Sequence, residues 1–256
     1  MNRSRSRTYR TSGVVLRQYP LGEADRIVSI LTPDLGKVRA VAKGVRRPNG
    51  RLRGHLDLTN VIDFAASYGR NLDVITEAVL RDDHPASRVD LERLSQSIYV
   101  CEIADLFSQE RYSSRELFVL VKETLEALGE VSDPWLIARW YEQHVLDVTG
   151  FRPQLEHCVE CDSALEPGDH VIDLAAGGVL CPQCRGLGIG QKVQVSESAM
   201  RVLRHLQRTE SIAGLGEPTL HDGLRNEVER ISSRYIRSIV ERDIRSADFA
   251  RRASSV

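Results

Sequence analysis

Four of the five cysteines form two closely spaced pairs in the second half of the chain. Cys158-x2-Cys161 and Cys181-x2-Cys184 are separated by 19 residues, which is within the spacing typical of a four-thiolate zinc site. Two intervening residues allow both sulfur atoms of a pair to point at one centre about 2.3 Å away. The pattern therefore predicts one structural Zn²⁺ bound by these four thiolates.

Other roles are open to these cysteines and their neighbours. The pairs could form two disulfides or stay unligated, and His157 could act as a ligand, although we expect it to be an exposed neighbour of the site. Four thiolates close the tetrahedron and leave no position for water, so hydrolysis at the metal is not expected. The fifth cysteine, Cys101, lies among apolar residues at helical spacing and is expected to be a buried small hydrophobe.

Basic side chains are concentrated at the start of the chain. Residues 1–55 contain 13 Lys or Arg and 3 Asp or Glu, whereas residues 86–184 contain 7 and 18. The formal net charge of −1 is therefore the sum of opposed regions, and such segregation favours a nucleic acid or a membrane surface as partner. Arg46–Arg53 has four arginines in eight residues and suits phosphate contact, although a solvated loop without a partner is the alternative.

Aromatic side chains are few in this basic region: Tyr9, Tyr19, Phe64 and Tyr68. Binding of single strands that depends on base stacking normally uses several such rings. We therefore expect backbone-led binding with little sequence selectivity and a steep dependence on salt.

The basic side chains must be positioned by strands. Alternating apolar residues separated by Pro, Gly and Asn turns predict five of them. Along the third strand, Lys37, Arg39 and Lys43 share one face, because side chains alternate along a strand. Five short strands favour an OB-type barrel over a two-sheet sandwich, which would usually need more. The strands are Thr11–Tyr19, Asp25–Thr32, Lys37–Lys43, Leu56–Phe64 and Leu72–Val79.

Helical periodicity begins after Pro85. Three helices precede a loop-like stretch, residues 151–190, and two follow: one is capped by Ser196, and the other ends near Ile244 with frayed residues from Arg251. The predicted fold is α+β and multidomain, with an N-terminal five-stranded OB-fold barrel and a C-terminal all-helical domain with an inserted zinc site. The predicted segments are a basic disordered extension (1–8), the OB-fold domain (9–82) and a helical domain (86–256) interrupted by the zinc-binding insertion (154–190).

Several function classes lack their sequence signatures. The chain has no phosphate-binding loop, nucleophile elbow or His-Glu-x-x-His motif, so we expect no catalytic residues. No apolar run approaches the roughly 18 residues of a spanning helix, and the basic N-terminus lacks the apolar stretch of a signal peptide. These features predict a cytoplasmic protein.

An ordered set of motifs resembles a known family. Gly13-Val14-Val15-Leu16, the segment 22–32, Gly36-Lys37 and the segment 42–47 are followed by Gly150-Phe151-Arg152-Pro153 and the four cysteines. Together, over about residues 9–245, they resemble the bacterial RecO proteins, mediators of recombinational DNA repair. The segment Met1–Thr8 precedes the usual start of that family.

The resemblance implies an OB-fold, a helical domain and an inserted zinc site. It also implies binding of single- and double-stranded DNA, annealing of complementary strands, and a complex with RecR that helps load RecA onto DNA coated by single-stranded-DNA-binding protein. The candidate DNA-binding residues are Arg26, Lys37, Arg39, Lys43, Arg46, Arg47, Arg51 and Arg53. Of these, Arg39, Arg51 and Arg53 are included for their charge and placement alone, whereas the other five lie in the matching motifs.

Three other functions are compatible with the same features. The basic segment could dock acidic protein tails in an interaction adaptor, or bind structured RNA in an OB-fold protein, while the cysteines could belong to a zinc hydrolase. The Arg230, Arg234 and Arg237 face of the last long helix could be a solvated face or a second contact.

Overall fold

The computed structural model describes residues 8–188 and 190–254. The described residues form two compact units, one within 1–134 and 248–256 and the other within 135–247. The basic extension predicted at residues 1–8 lies outside the described residues, apart from Thr8, which begins the first strand. Among the helices in this description, none is long and apolar enough to cross a membrane.

The first unit contains the predicted five-stranded barrel. The strands close in the order β1-β2-β3-β5-β4, with β3 and β5 parallel and the other neighbours antiparallel. This closed five-stranded arrangement confirms the OB-fold. The strands are β1 (Thr8–Leu21), β2 (Asp25–Thr32), β3 (Gly36–Ala42), β4 (Val61–Ser67) and β5 (Asp73–Asp82).

Alternation along the strands places one set of side chains inside the barrel. Along β3, Val38, Ala40 and Ala42 are fully buried, while Arg39 is exposed. The same core contains Ile30, and burying each large aliphatic side chain is worth roughly 1.5–3 kcal/mol. The fourth strand was predicted to begin at Leu56, which is wrong: Leu56 is buried in the core within the loop that precedes β4, and the strand begins at Val61.

Three helices follow the barrel in this unit: α1 (Pro85–Arg88), α2 (Leu91–Phe107) and α3 (Arg115–Leu128). The Asp90 side chain caps α2 by accepting from the Arg93 amide, and Ser114 caps α3 in the same way. Cys101 on α2 is fully buried, as expected, and burial raises the pKa of its thiol to about 12. The C-terminal end of α2 brings Asp105 to the outer surface of the barrel.

The second unit is helical with one small sheet. Its sheet has the order β7-β6-β8, which the loop-like prediction for residues 151–190 missed. The prediction that the last long helix ends near Ile244 is wrong, because Glu241 adopts a left-handed conformation (φ 50°) and a new helix starts at Arg245. The elements are α4 (Pro134–Val148), β6 (His170–Asp173), β7 (Gly178–Leu180), β8 (Lys192–Val195), α5 (Glu197–Arg208), a 3₁₀ turn (Ile212–Gly214), α6 (Asp222–Val240) and α7 (Arg245–Ala253), which crosses the boundary of the unit.

Candidate nucleic-acid interface and metal centre

The loop between β3 and β4, residues 43–60, is held by regular backbone hydrogen bonds. The amides of Arg47, Gly50 and Arg53 each donate to the carbonyl three residues earlier, at 3.1, 3.0 and 3.0 Å. Buried Val45 and Leu56 anchor the loop to the barrel core. The cationic side chains of this loop are therefore presented by an ordered backbone.

Three of the predicted residues meet in one depression. Lys43, Arg47 and Arg51 line a cleft of about 510 Å³ together with β5 residues 75–79, and we call this the loop cleft. All three side chains belong to exposed residues and form no ion pair with any described residue. Glu77, the one carboxylate in the lining, lies 2.7 Å from Arg10. The loop cleft is thus a cationic depression on the barrel surface.

Three more predicted arginines lie outside the lining of the loop cleft. Arg46 and Arg53 are exposed and donate to backbone carbonyls of Gly22 and Pro48, at 3.1 and 3.2 Å. Arg26 donates to the Gln18 side chain at 2.8 Å and lies 3.7 Å from an Asp57 carboxylate oxygen. The partners of these guanidinium groups are neutral, apart from Asp57 at 3.7 Å from Arg26, so the groups remain accessible to an anion.

Lys37 and Arg39 share one face of β3, as the alternation predicts, but both have acidic partners there. The Lys37 ammonium donates to the Asp105 carbonyl at 2.5 Å and lies 3.3 Å from its carboxylate. Its side chain is only 14% exposed, whereas Arg39 is 43% exposed and pairs with Glu110 at 3.3 Å. The structure thus separates these two residues from the loop cleft, which Lys43 lines.

Arg70 and Arg111 were not among the residues predicted from the sequence to bind DNA. Arg70 is exposed in the short β4–β5 loop, and Arg111 lies beside the rings of Tyr9 and Tyr68. The linear sequence carried no signal for this cluster, because 42 residues separate Tyr68 from Arg111. The structure therefore adds a cation and two aromatic rings to the barrel surface.

The four paired cysteines converge in the second unit. Their sulfur atoms lie within 4.8 Å of one another, and Cys161 Sγ and Cys181 Sγ are 3.8 Å apart. A tetrahedron of sulfurs, each about 2.3 Å from its centre, has edges of roughly 3.8 Å. The donor set and spacing therefore fit one metal ion bound by four thiolates.

Local backbone contacts shape both pairs. The Asp162 and Cys184 amides donate to the carbonyls of Cys158 and Cys181, at 2.9 and 3.0 Å, closing a tight turn at each pair. The Cys181 amide also donates to Cys158 Sγ at 3.3 Å. Burial raises the pKa of the Cys158 thiol, but backbone amide donors outweigh it and lower that pKa below its usual value. The backbone around Cys158 therefore favours its thiolate, the form that binds a metal, whereas the hydrogen bond with Cys181 raises the pKa of Cys184 above its usual value.

Two residues beside the cysteines, His157 and Gly178, show which side chains the site includes and how closely its segments pack. His157 is exposed and is not among the four converging ligands, as expected. Gly178 at the start of β7 approaches Gln154 so closely that a Cβ there would lie 2.6 Å from the Gln154 carbonyl oxygen. A side chain at position 178 would push apart the strand leading to Cys181 and the segment leading to Cys158.

The fold and site define a class: an OB-fold barrel with a cationic loop, joined to a helical region in which four cysteines converge as potential ligands of one metal ion. Residues 6–83 match the family described as "Recombination protein O N terminal", and residues 88–248 match "Recombination protein O C terminal". The chain therefore belongs to the RecO family.

Individual relatives match along most of both chains. The DNA repair protein RecO of Roseiflexus sp. (strain RS-1) is 37% identical over 96% of this chain and 86% of its own length. The protein of the same name from Frankia casuarinae is 36% identical, over 96% and 99%. A Dehalococcoides mccartyi relative is 31% identical, over 92% of each chain.

Proposed function

We propose that this chain is a non-enzymatic DNA-repair mediator that binds single- and double-stranded DNA and anneals complementary strands. The observation that carries the proposal is the loop cleft, where Lys43, Arg47 and Arg51 converge without acidic partners among the described residues. Its relatives are named DNA repair protein RecO. Three uncompensated cations on an ordered loop suit a polyanion better than an empty solvated surface.

The cationic residues have graded roles in this proposal. Lys43, Arg47 and Arg51 bind phosphates directly, and the exposed Arg46 and Arg53 extend that surface along the loop. Arg39 contributes when a phosphate displaces Glu110, because an exposed ion pair is worth only about 0–1 kcal/mol. Arg26 lies at the edge, while Lys37 mainly holds the end of α2 against the barrel through Asp105.

Annealing by such a surface needs no bond-breaking chemistry. Two DNA strands repel one another through their phosphates, and neutralising these charges raises the chance of a productive encounter. Contacts to the backbone carry no sequence information, so both strands and the product duplex remain acceptable ligands. The expected signature is an affinity that falls steeply with salt.

We propose Zn²⁺ as the ion of the four-cysteine site, with a structural role. Thiolate ligands select soft metals, and four of them leave no open coordination position for a substrate. The ion would join the Cys158 turn to β7 and hold residues 154–190 as an ordered insertion. Cysteine-to-metal bonds would then stabilise the second unit without taking part in DNA binding.

The partners are proposed from membership of the family. We propose that residues 9–82 form the DNA-binding domain, and that the helical domain, residues 86–256, contains the zinc insertion. The chain would act with RecR to help load RecA onto DNA covered by single-stranded-DNA-binding protein in the cytoplasm. A pull-down of purified RecR by the full chain, with and without DNA, tests the first of these contacts.

One strand-annealing assay tests the main proposal. Wild-type chain and the Arg46→Ala/Arg47→Ala variant are mixed with two complementary labelled strands across a series of salt concentrations. We expect the wild type to accelerate annealing at low salt and lose this effect as salt rises, and the variant to be slower at every concentration. A wild-type chain that neither binds nor anneals DNA at low salt would contradict the proposal.

A further inference from the structure

Two tyrosine rings and one guanidinium group form a single cluster at the start of β5. The ring centroids of Tyr9 and Tyr68 are 4.8 Å apart with a 41° tilt. Arg111 Cζ lies 5.8 Å from the Tyr9 centroid and 5.6 Å from the Tyr68 centroid. Tyr9 also meets buried Phe64 edge-on, with centroids 6.1 Å apart, so the cluster rests on the barrel core.

A buried carboxylate fixes the geometry of the cluster. Asp73, whose side chain is only 3% exposed, accepts hydrogen bonds from the Tyr9 hydroxyl at 2.5 Å and from the Arg111 guanidinium. Its other oxygen accepts from the Gly69 amide at 3.2 Å, within the loop that carries Tyr68. Burial, followed by the bond to Asp73, raises the pKa of Tyr9 well above its usual value, so this hydroxyl stays a donor. The rings are thus held before any ligand arrives.

The backbone at Arg111 is unusual. Arg111 adopts a left-handed conformation, with φ 62°, which few residues other than glycine occupy and which costs about 1 kcal/mol or more. Its amide donates to the Lys37 carbonyl at 3.1 Å, so the segment is attached to the edge of β3. This strained arrangement places a cation against two aromatic rings and still leaves its side chain 43% exposed.

One ring of the cluster remains open to solvent. Tyr68 is 53% exposed although Tyr9 packs beside it. Exposed Arg70 lies two residues away in the same loop. An accessible aromatic ring beside one ion-paired and one exposed cation has the composition of a site for one nucleotide, with the base on the ring and the phosphate near the guanidinium groups.

The cluster also lies close to the loop cleft. Strands β3 and β5 run parallel with Val41 opposite Val74, so Lys43 follows β3 next to the part of β5 that lines the loop cleft. Asp73 and Thr76 are three residues apart along β5, roughly 10 Å at about 3.3 Å per residue. A strand whose phosphates occupy the loop cleft can therefore extend along β5 toward Tyr68.

We propose that Tyr9, Tyr68 and Arg111, together the Tyr68 platform, stack an unpaired base of single-stranded DNA. The inference rests on the proposed function, and it assigns to the barrel a preference for unpaired over duplex DNA that phosphate contacts alone do not provide. In duplex DNA the base faces are already stacked, so the Tyr68 platform is available only to a single strand.

The test compares the Tyr68→Ala variant with the wild-type full chain on two ligands of equal length and charge. One ligand is an oligothymidine and the other is the same backbone with abasic sites, and binding is measured by fluorescence anisotropy at one fixed salt concentration. We expect Tyr68→Ala to lose roughly tenfold in affinity for oligothymidine and to bind the abasic strand like the wild type. Tyr68→Trp should bind oligothymidine at least as tightly as the wild type.

Matched variants keep the outcomes distinct. Tyr19 is 39% exposed with Arg17 Cζ 5.1 Å from its ring centroid, so Tyr19→Ala removes a comparable ring and should not alter binding. Tyr68→Leu, which keeps apolar bulk, should behave like Tyr68→Ala and shows whether loss of the ring or of volume is responsible. If the wild type binds both strands equally, or if Tyr68→Ala weakens both equally, the Tyr68 platform is refuted while the proposed function stands. If the wild type binds neither strand, the proposed function fails and the platform with it.

Discussion

Simultaneous replacement of Lys43, Arg47 and Arg51 by alanine should reduce the salt dependence of DNA binding by a predictable amount. Each phosphate contact on a single strand contributes about 0.7 to the slope of log K against log salt, so three contacts contribute about 2. Between about 50 and 200 mM salt this corresponds to a roughly 20-fold loss of affinity. The affinity of the wild type should therefore fall by this factor in addition to the fall caused by its other phosphate contacts. The affinity of the triple variant should show only the fall caused by those other contacts.

The control removes the same charge from other places. Arg81, Arg115 and Arg208 are exposed, and each is paired with a carboxylate: Asp63, Asp34 and Glu156, respectively. Anisotropy titrations at four salt concentrations should give the wild-type slope for the Arg81→Ala/Arg115→Ala/Arg208→Ala variant. If both triple variants reduced the slope by the same amount, the loss of net charge alone would explain the reduction. That result would refute the assignment of the phosphates to the loop cleft.

Three further predictions concern metal, packing and pH. The purified chain should contain one zinc with four sulfur ligands by X-ray absorption, and Cys161→Ser should lower the melting temperature while the salt slope of DNA binding stays unchanged. Asp105→Ala should lower the free energy of unfolding in urea by about 1.5 kcal/mol, because the partly exposed Lys37 and Arg17 lose their shared carboxylate while Lys37 keeps the Asp105 carbonyl; an unchanged free energy of unfolding would contradict the role of this carboxylate in holding α2 against the barrel. Burial lowers the pKa of His84 below its ordinary 6.5 despite nearby Asp82, so the unfolded chain binds the extra proton and stability should fall as pH drops below about 6.5. Asn tolerates the φ of 50° at position 84, so His84→Asn should reduce the loss of stability at low pH. An unchanged dependence of stability on pH would contradict the assignment of this loss to His84.

Features that depend on residues close together in the sequence were predicted correctly. The second strand was predicted at Asp25–Thr32 and occupies those residues, because alternating side chains between clear turns define its ends. The four cysteines were found by spacing alone, and the structure brings their sulfur atoms together. Ser196 caps α5 as predicted, by accepting from the Ala199 amide at 3.2 Å.

The features that sequence analysis missed depend on distant contacts. Strands β6 and β7 have only four and three residues and are paired by the sheet that they form, so their short sequences carried little periodicity. Arg251 lies inside α7, not in a frayed end as expected, and this helix extends to Ala253. The predicted shared face of Lys37 and Arg39 gave no indication that α2 would bring Asp105 against it.

The aromatic side chains show the same limit. The rings near the basic segment were too few to predict stacking, but folding brings Tyr9 of β1 against Phe64 and Tyr68 at the end of β4 and adds Arg111. A count of residue types cannot register such convergence. Only the barrel closure, which pairs β4 with both β1 and β5, brings these segments together.

Photochemical cross-linking tests most directly where DNA lies on this chain. A single strand with photoreactive thymine analogues is bound to the full-length protein at low salt, irradiated, and the attached peptides are identified by mass spectrometry. We predict cross-links within residues 43–53 of the β3–β4 loop and around Tyr68, and their loss at high salt. Cross-links confined to residues 135–247, with none on the barrel, would contradict the central claim that the barrel surface binds DNA.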